Sequence, residues 1–350
     1  MSRTDFQVWT DRWAQLWKSG AVENTGEAHG QQPILEAVGT AASTRFTPEV
    51  MHAAATLYYL KEATQAQVAQ QLGISRATVS RVLSEARRTG IVRIEVIDPA
   101  TRRASEMEER LCEALGLARV FLAGGFHRSL TGAALAARLG EALTEIGLKA
   151  GDVLLVSSGR TVWEVSQEVL PSFPGVVVTP TVGGQDEPEA WYQTNEITRM
   201  FAEQLDGRPV FLYAPAQPGA DLHRLLLQDP STRRVLDLWS QARVAVLGIG
   251  APPLTRESLP GYVPRDAPWL REAVGDICTR FFDEEGRALP YPEESLIATT
   301  YEELRAIPHT IAMAVGPTKV PSIIAGARAG WFDTLITDED TAVRMLEKLG

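Results

Sequence analysis

Residues Thr64 to Gly90 read TQAQVAQQLGISRATVSRVLSEARRTG, and this stretch narrows what the chain can fold into more than any other. Apolar residues recur at Val68, Ala69 and Leu72, then at Ile74, Val79, Val82, Leu83 and Ala86. Each set lines one face of a short helix. Gly73 between them suits a left-handed C-terminal stop, and Ser75 suits an N-cap. Two short helices, a tight turn and a small residue, Ala69, where the backbones cross spell a helix-turn-helix.

The second helix carries a polar face of Ser75, Arg76, Thr78, Ser80 and Arg81, and Ala77 beside them is also expected on the DNA. Residues at the N-terminus of such a helix reach base edges in the major groove, where arginine can bond guanine with both arms. Arg87 and Arg88 lie further along, where they meet phosphates and supply affinity. Lys61 to Arg93 holds six basic and two acidic residues, a net of +4, inside a chain of net charge −10. A positive island in an acidic protein is the footprint of a DNA-binding module. An ordinary helical hairpin with a solvated basic face is the competing reading, and it seldom combines all these signals.

The 350 residues leave room for two or three domains. With 45% hydrophobic and 22% charged residues the composition is that of a folded soluble protein. Cys112 and Cys278 stand far apart, which fits a reducing compartment and gives neither a disulfide framework nor a zinc site. The five histidines show no metal-ligand spacing. No apolar run reaches the roughly 18 residues of a membrane span and no signal peptide opens the chain, so the expected location is the cytoplasm.

Residues 1–45 form an extension. Phe6, Trp9, Trp13 and Trp17 would give a short helix one aromatic face, and residues 20–32 read as a loose linker. The extension is either frayed or docks on another subunit. Residues 46–98 are assigned to a winged helix-turn-helix domain. In it Thr47-Pro48 starts a helix through Ala53, Leu57, Tyr58 and Leu60, and Ile91–Ile97 is expected to form a wing strand. A helix over Thr101–Leu115 then either pairs subunits or packs on the core of the next domain.

Across 99–350 short β-rich runs alternate with helical ones. Strands are expected at Val120–Leu122, Val153–Ser157, Val176–Pro180, Val210–Tyr213, Val244–Ile249, Ile277–Phe282, Ile311–Val315 and Thr334–Ile336. Helices are expected at Ala133–Ile146, Val162–Leu170, Glu196–Leu205, Thr232–Trp239, Val320–Ala329 and Thr341–Leu349. This alternation predicts an α/β domain with a doubly wound, mostly parallel sheet, whose ligand sits at the carboxyl ends of the strands. The loops expected there contain Ser158-Gly159-Arg160-Thr161, Gly183-Gly184-Gln185, Gly248 to Ala251, Gly275-Asp276 and Gly316 to Lys319. Glycine at one such turn is most often backbone economy. Together, with two helix N-termini, one lysine and one aspartate, they favour a small polyhydroxylated anion. Phosphate is expected at Ser158–Thr161 and Lys319, and sugar hydroxyls at Asp276 and Gln185.

The order of these parts resembles the SorC (also called DeoR-type) family of bacterial sugar-responsive transcriptional regulators. The resemblance covers roughly residues 50–349. It is carried by LYYLKEATQAQVAQQLGISRATVSRVLSEARRTGIVRIEV, then SSGRT, PTVGG, VLGIGA, GDI and VGPTKVPSIIAGARAGWFDTLITDEDTA. It implies an effector domain similar to sugar-phosphate isomerases and glucosamine-phosphate deaminases that binds a phosphorylated sugar or polyol without turning it over. It also implies a homodimer or homotetramer on two half-sites of double-stranded operator DNA. By position, the family's phosphate loop falls on Gly159, Arg160 and Thr161, its second glycine loop on Gly183, Gly184 and Gln185, its acidic residue on Asp276 and its lysine on Lys319. Ser158 stands where the family usually has a large residue, and Val315-Gly316 where it usually has a glycine pair.

The reading is therefore a sequence-specific regulator of a carbohydrate operon, with no catalytic residue, cofactor or metal. The alternatives are an isomerase- or deaminase-like enzyme that carries a DNA-binding domain, with Asp276 as its base, and a domain for an unphosphorylated polyol.

Overall fold

A computed structural model describes residues 46–94, 99–124, 131–256, 259–261, 263–290 and 295–350. The aromatic-faced segment and the linker after it lie outside the described residues. The chain divides into two compact units, Met1–Ile97 and Asp98–Gly350.

In the first unit, α1 (Pro48–Ala55) runs into a π-helical turn over Thr56–Leu60, followed by α2 (Gln65–Leu72) and α3 (Arg76–Arg88). Helix α2 opens with a reciprocal cap between Thr64 and Gln67 and ends on Gly73 at φ 66°, the left-handed stop that glycine adopts freely. Ser75 caps α3 by accepting from the Thr78 amide at 3.1 Å. The apolar faces of all three helices meet in a small core of Val50, Met51, Ala54, Leu57, Val68, Val79, Val82, Leu83 and Ala86. The expected wing strand is not formed over its described part. Residues 91–94 are bends and coil, with Ile91 and Ile94 exposed, and residues 95–97 lie outside the described residues.

The second unit begins with α4 (Pro99–Leu115), then alternates β1 (Arg119–Ala123), α5 (Thr131–Ile146), β2 (Val153–Val156), α6 (Arg160–Ser166), β3 (Val177–Pro180), α7 (Thr194–Gln204) and β4 (Arg208–Pro209). Helix α8 (Ala220–Leu226), missing from the sequence reading, and α9 (Pro230–Trp239), expected there from Thr232, lead to β5 (Ala242–Gly248). After a long excursion come α10 (Tyr301–Ala306), β8 (His309–Met313), α11 (Val320–Ala329), β9 (Thr334–Asp338) and α12 (Glu339–Leu349). Among the described residues the main sheet has seven strands in the order β1-β9-β8-β5-β2-β3-β4, and every pairing is parallel.

A parallel sheet covered on both faces needs apolar residues on both, because successive side chains point opposite ways. Leu154, Val156, Val244 and Val246 pack with α5, α6 and α7, whereas Val153, Leu155, Ala245 and Leu247 pack with α4, α9, α11 and α12. Met107, Leu111 and Leu115 of α4 belong to that second layer, so this helix packs on the domain core.

Two strand assignments need correction. Val210–Tyr213 forms no strand, because the edge strand β4 stops at Pro209. Asn195 explains the stop: its amide donates to the Leu212 carbonyl at 3.1 Å and accepts from the Leu212 amide at 3.0 Å, so a side chain takes the groups a ladder would use. Ile277–Phe282 is not one strand of the main sheet. It is the turn and second arm of an antiparallel hairpin, β6 (Gly275–Ile277) and β7 (Arg280–Phe282), within the excursion after β5.

Candidate functional site

Strand order reverses between β2 and β5. Chain segments leaving β2 travel one way along the sheet and those leaving β5 the other, which opens a crevice at the carboxyl ends. The loops after β2, β5 and β8 meet there around a cavity of about 490 Å³. Ser158, Gly159, Arg160, Thr161, Gln185, Asp276 and Lys319 all line it.

Two of these loops need glycine for conformation alone. Gly159 has φ 123° and ψ 151°, and Gly316 has φ 106° and ψ 153°, a region essentially closed to other residues. A side-chain carbon at either would meet nothing within 4 Å, so backbone shape and not crowding dictates the residue. Each turn swings the chain from a buried strand into a helix whose first amides lack partners within the helix. The Gly159 amide itself donates to the Trp191 carbonyl at 2.9 Å.

The cavity holds three cations and two acids among its lining: Arg160, Arg256 and Lys319 against Glu164 and Asp276. The Arg160 guanidinium lies 4.6 Å from the centre of the Trp191 ring. Asp276 forms an ion pair with Arg256, whose Nε also donates to the Ala251 carbonyl at 2.6 Å. Gly250 makes room for that pair: a side-chain carbon there would sit 1.9 Å from Asp276 Oδ1 and 2.1 Å from Arg256 Nη2. Lys319 opens partly into the cavity. Burial first, then the Arg256 charge, pull its ammonium down to about 8 against the opposing influence of Asp276 and Glu164. Burial pushes the Glu164 carboxyl up, against the pull of Arg160 and Lys319.

Gln185 is 7% exposed, and its Nε2 donates to Ser158 Oγ at 2.7 Å. Its Oε1 is buried with no protein partner among the described residues. A buried acceptor in that state fits a donor supplied from the cavity.

The structure does not bring Gly183 and Gly184 into this lining. A side-chain carbon on Gly183 would strike the Ala214 oxygen at 2.6 Å, and Gly184 exchanges backbone hydrogen bonds with Ala214 and Ala216. Close backbone packing explains Gly183, whereas a side-chain carbon on Gly184 would meet only the Ala214 oxygen, at an ordinary 3.8 Å. Sequence reading missed Arg256, Glu164 and Trp191. Trp191 lies within a three-residue 3-10 turn and Arg256 directly follows another, each too short to show a period, whereas Glu164 lies one helical turn beyond the loop at 158–161.

In the first unit, Ser75, Arg76, Ala77, Ser80, Arg81, Arg87 and Arg88 are exposed and Thr78 is half-buried. Ser75 and Thr78 hydroxyls lie 2.8 Å apart. Arg88 is tied to Glu85 at 2.9 Å, and Arg87 reaches Ser84 at 3.3 Å.

No helix among the described residues is long and apolar enough to cross a membrane, and no group of three or more potential metal ligands occurs among them. Both cysteines are free.

Comparison with known proteins agrees with this anatomy. A family model described as "Putative sugar-binding domain" matches residues 100–347, and one for sigma-70 region 4 matches residues 55–89. The deoxyribonucleoside regulator of Bacillus subtilis is 31% identical over 85% of this chain and 96% of its own length. The sorbitol operon regulator of Klebsiella pneumoniae is 28% identical over 84% and 96%. The full-length crystal structure of that regulator superposes with a TM-score of 0.64 at 27% identity, covering 85% of this chain and 98% of its own. On these matches the chain belongs to the SorC/DeoR-type family of transcriptional regulators.

Proposed function

We propose that the chain regulates a carbohydrate operon through a phosphorylated sugar or polyol that binds the cavity without being turned over and changes operator affinity. One observation carries this reading: three cations, two glycine-only turns and a buried unpaired amide oxygen surround a single cavity at the switch point of a parallel sheet. Phosphate suits Thr161, Arg160 and Lys319, and a hydroxyl suits Gln185. Two relatives are named for sorbitol, a polyol, and for deoxyribonucleosides, which carry a deoxyribose, and these names support a carbohydrate effector. Asp276, the base of the enzyme alternative, is engaged by Arg256. On the first unit, Ser75, Arg76, Ala77, Thr78, Ser80 and Arg81 would read bases, with Arg87 and Arg88 on phosphates. Two half-sites call for a homodimer or homotetramer.

The deciding experiment is a thermal-shift screen against paired free and phosphorylated pentitols, hexitols and their sugars. A partner at about a hundred times its dissociation constant adds roughly 2.7 kcal/mol. A shift with a phosphorylated member alone, lost in Lys319→Met, is expected. Shifts with free polyols alone would overturn the phosphate assignment.

A further inference from the structure

The hairpin β6–β7 turns through only two residues, Cys278 and Thr279, at φ 50° and φ 62°. Two-residue hairpin turns with both φ values positive favour Asn-Gly, because a side chain with branching at Cβ resists that conformation. Here the second position is a threonine. Among the described residues the other non-glycine positions of this kind are Glu62 and Asp206, both exposed acids. Cys278 and Thr279 are instead buried, adjacent, and part of the cavity wall.

The contrast with the neighbouring loops is informative. Where the cavity needs only backbone shape, at 159 and 316, the chain uses glycine. At 279 it keeps a side chain in spite of the strain. The turn is held from both arms. Asp276 pairs with Arg256 and its carbonyl accepts from Gly250, while Arg280 donates to the carbonyls of Thr299 at 2.6 Å and Ala298 at 3.0 Å. Strain of this sort persists where surrounding structure over-determines it, and it concentrates at ligand clamps. Thr279 Oγ1 donates to the Cys278 carbonyl at 2.6 Å. Its proton is thereby committed, and its lone pairs remain to accept.

We propose that Thr279 is a specificity-determining residue of the effector cavity: the strained turn presents its hydroxyl as an acceptor for a hydroxyl of the sugar. This rests on the effector reading above and adds to it a second acceptor besides Gln185, on a different loop. A ligand that satisfies both carries at least two hydroxyls, so the class is a polyhydroxylated phosphate and not a simple phosphomonoester or an acid.

The test uses the full chain and its Thr279→Gly and Thr279→Ser variants, melted alone and with inorganic phosphate, glycerol 3-phosphate, ribose 5-phosphate, glucitol 6-phosphate and fructose 6-phosphate. Thr279→Gly relieves the strain, so the unliganded chain should melt roughly 2–4 °C higher. The sugar phosphate that shifts the wild type should bind this variant roughly 3- to 10-fold more weakly, as for one lost neutral hydrogen bond. Thr279→Ser, which keeps the hydroxyl, should bind like the wild type. Equal binding by Thr279→Gly and wild type overturns the proposal and leaves the phosphate cradle standing. A lower melting point for Thr279→Gly overturns the strain argument. A wild type that none of the sugar phosphates shifts removes the effector reading and this proposal with it.

Discussion

If the cavity binds a phosphorylated effector as proposed, Lys319 should make that binding answer to pH. Its ammonium is drawn down to about 8 by burial and by Arg256. A lysine depressed in this way binds fewer protons folded than unfolded, so on its own it makes the empty domain more stable as pH rises from about 8 towards the ordinary lysine range. A bound phosphate reverses the preference, because a dianion favours the charged amine. Effector affinity should therefore fall as pH rises through 8, by roughly tenfold between pH 7 and 9 as the charged fraction falls. Titration calorimetry should show proton uptake on binding near pH 8. Lys319→Arg, permanently charged, should flatten the profile, and an unflattened profile would place the titrating group elsewhere. Lys319 was legible because it follows a strand-end glycine in a strand–loop–helix unit. Its partner Arg256 was not, since nothing in the run from Ile249 to Val274 repeats at a helix or strand period.

At the scale of elements, legibility followed the strength of local rules. In the helix-turn-helix the apolar period, the stop at Gly73 and the cap at Ser75 agree, and the helices form where these signals put them. The hairpin at 275–282 broke the rule: an apolar run without Asn or Gly reads as one strand, and the turn inside it is hidden by the same Thr279 that strains it. The apolar run after β4 misled for a different reason, because a distant asparagine supplies its hydrogen bonds. The first unit rests on a small core, so single truncations weigh heavily there. Leu83, a member of this core, is 3% exposed, and Leu83→Ala should cost about 2–5 kcal/mol. Mobility-shift assays should show operator binding lost, while the effector-induced thermal shift of the second unit persists. Loss of both together would contradict separate cores.

For the whole molecule, regulation is a statement about linked equilibria and needs no particular arrangement of the two units. If a sugar phosphate changes operator affinity by some factor, operator DNA must change affinity for that sugar phosphate by the same factor. Couplings of this kind are typically about 1–3 kcal/mol, or roughly 5- to 150-fold. The charge layout makes the two sides separable by salt. If the operator binds the +4 island of this net −10 chain as proposed, its affinity should fall steeply with ionic strength, with a log–log slope that loses about one unit in Arg87→Ala. An effector bound as proposed, among the partly buried Arg256, Asp276 and Lys319, is screened less, so its affinity should depend far less on salt. Measuring both affinities, each with and without the other ligand and at two salt concentrations, closes a thermodynamic square. Equal coupling along both routes is expected at either salt. A sugar phosphate that binds tightly yet leaves operator affinity unchanged would mean that the cavity is filled equally well in both states of the protein, and that control of this operon enters at another site.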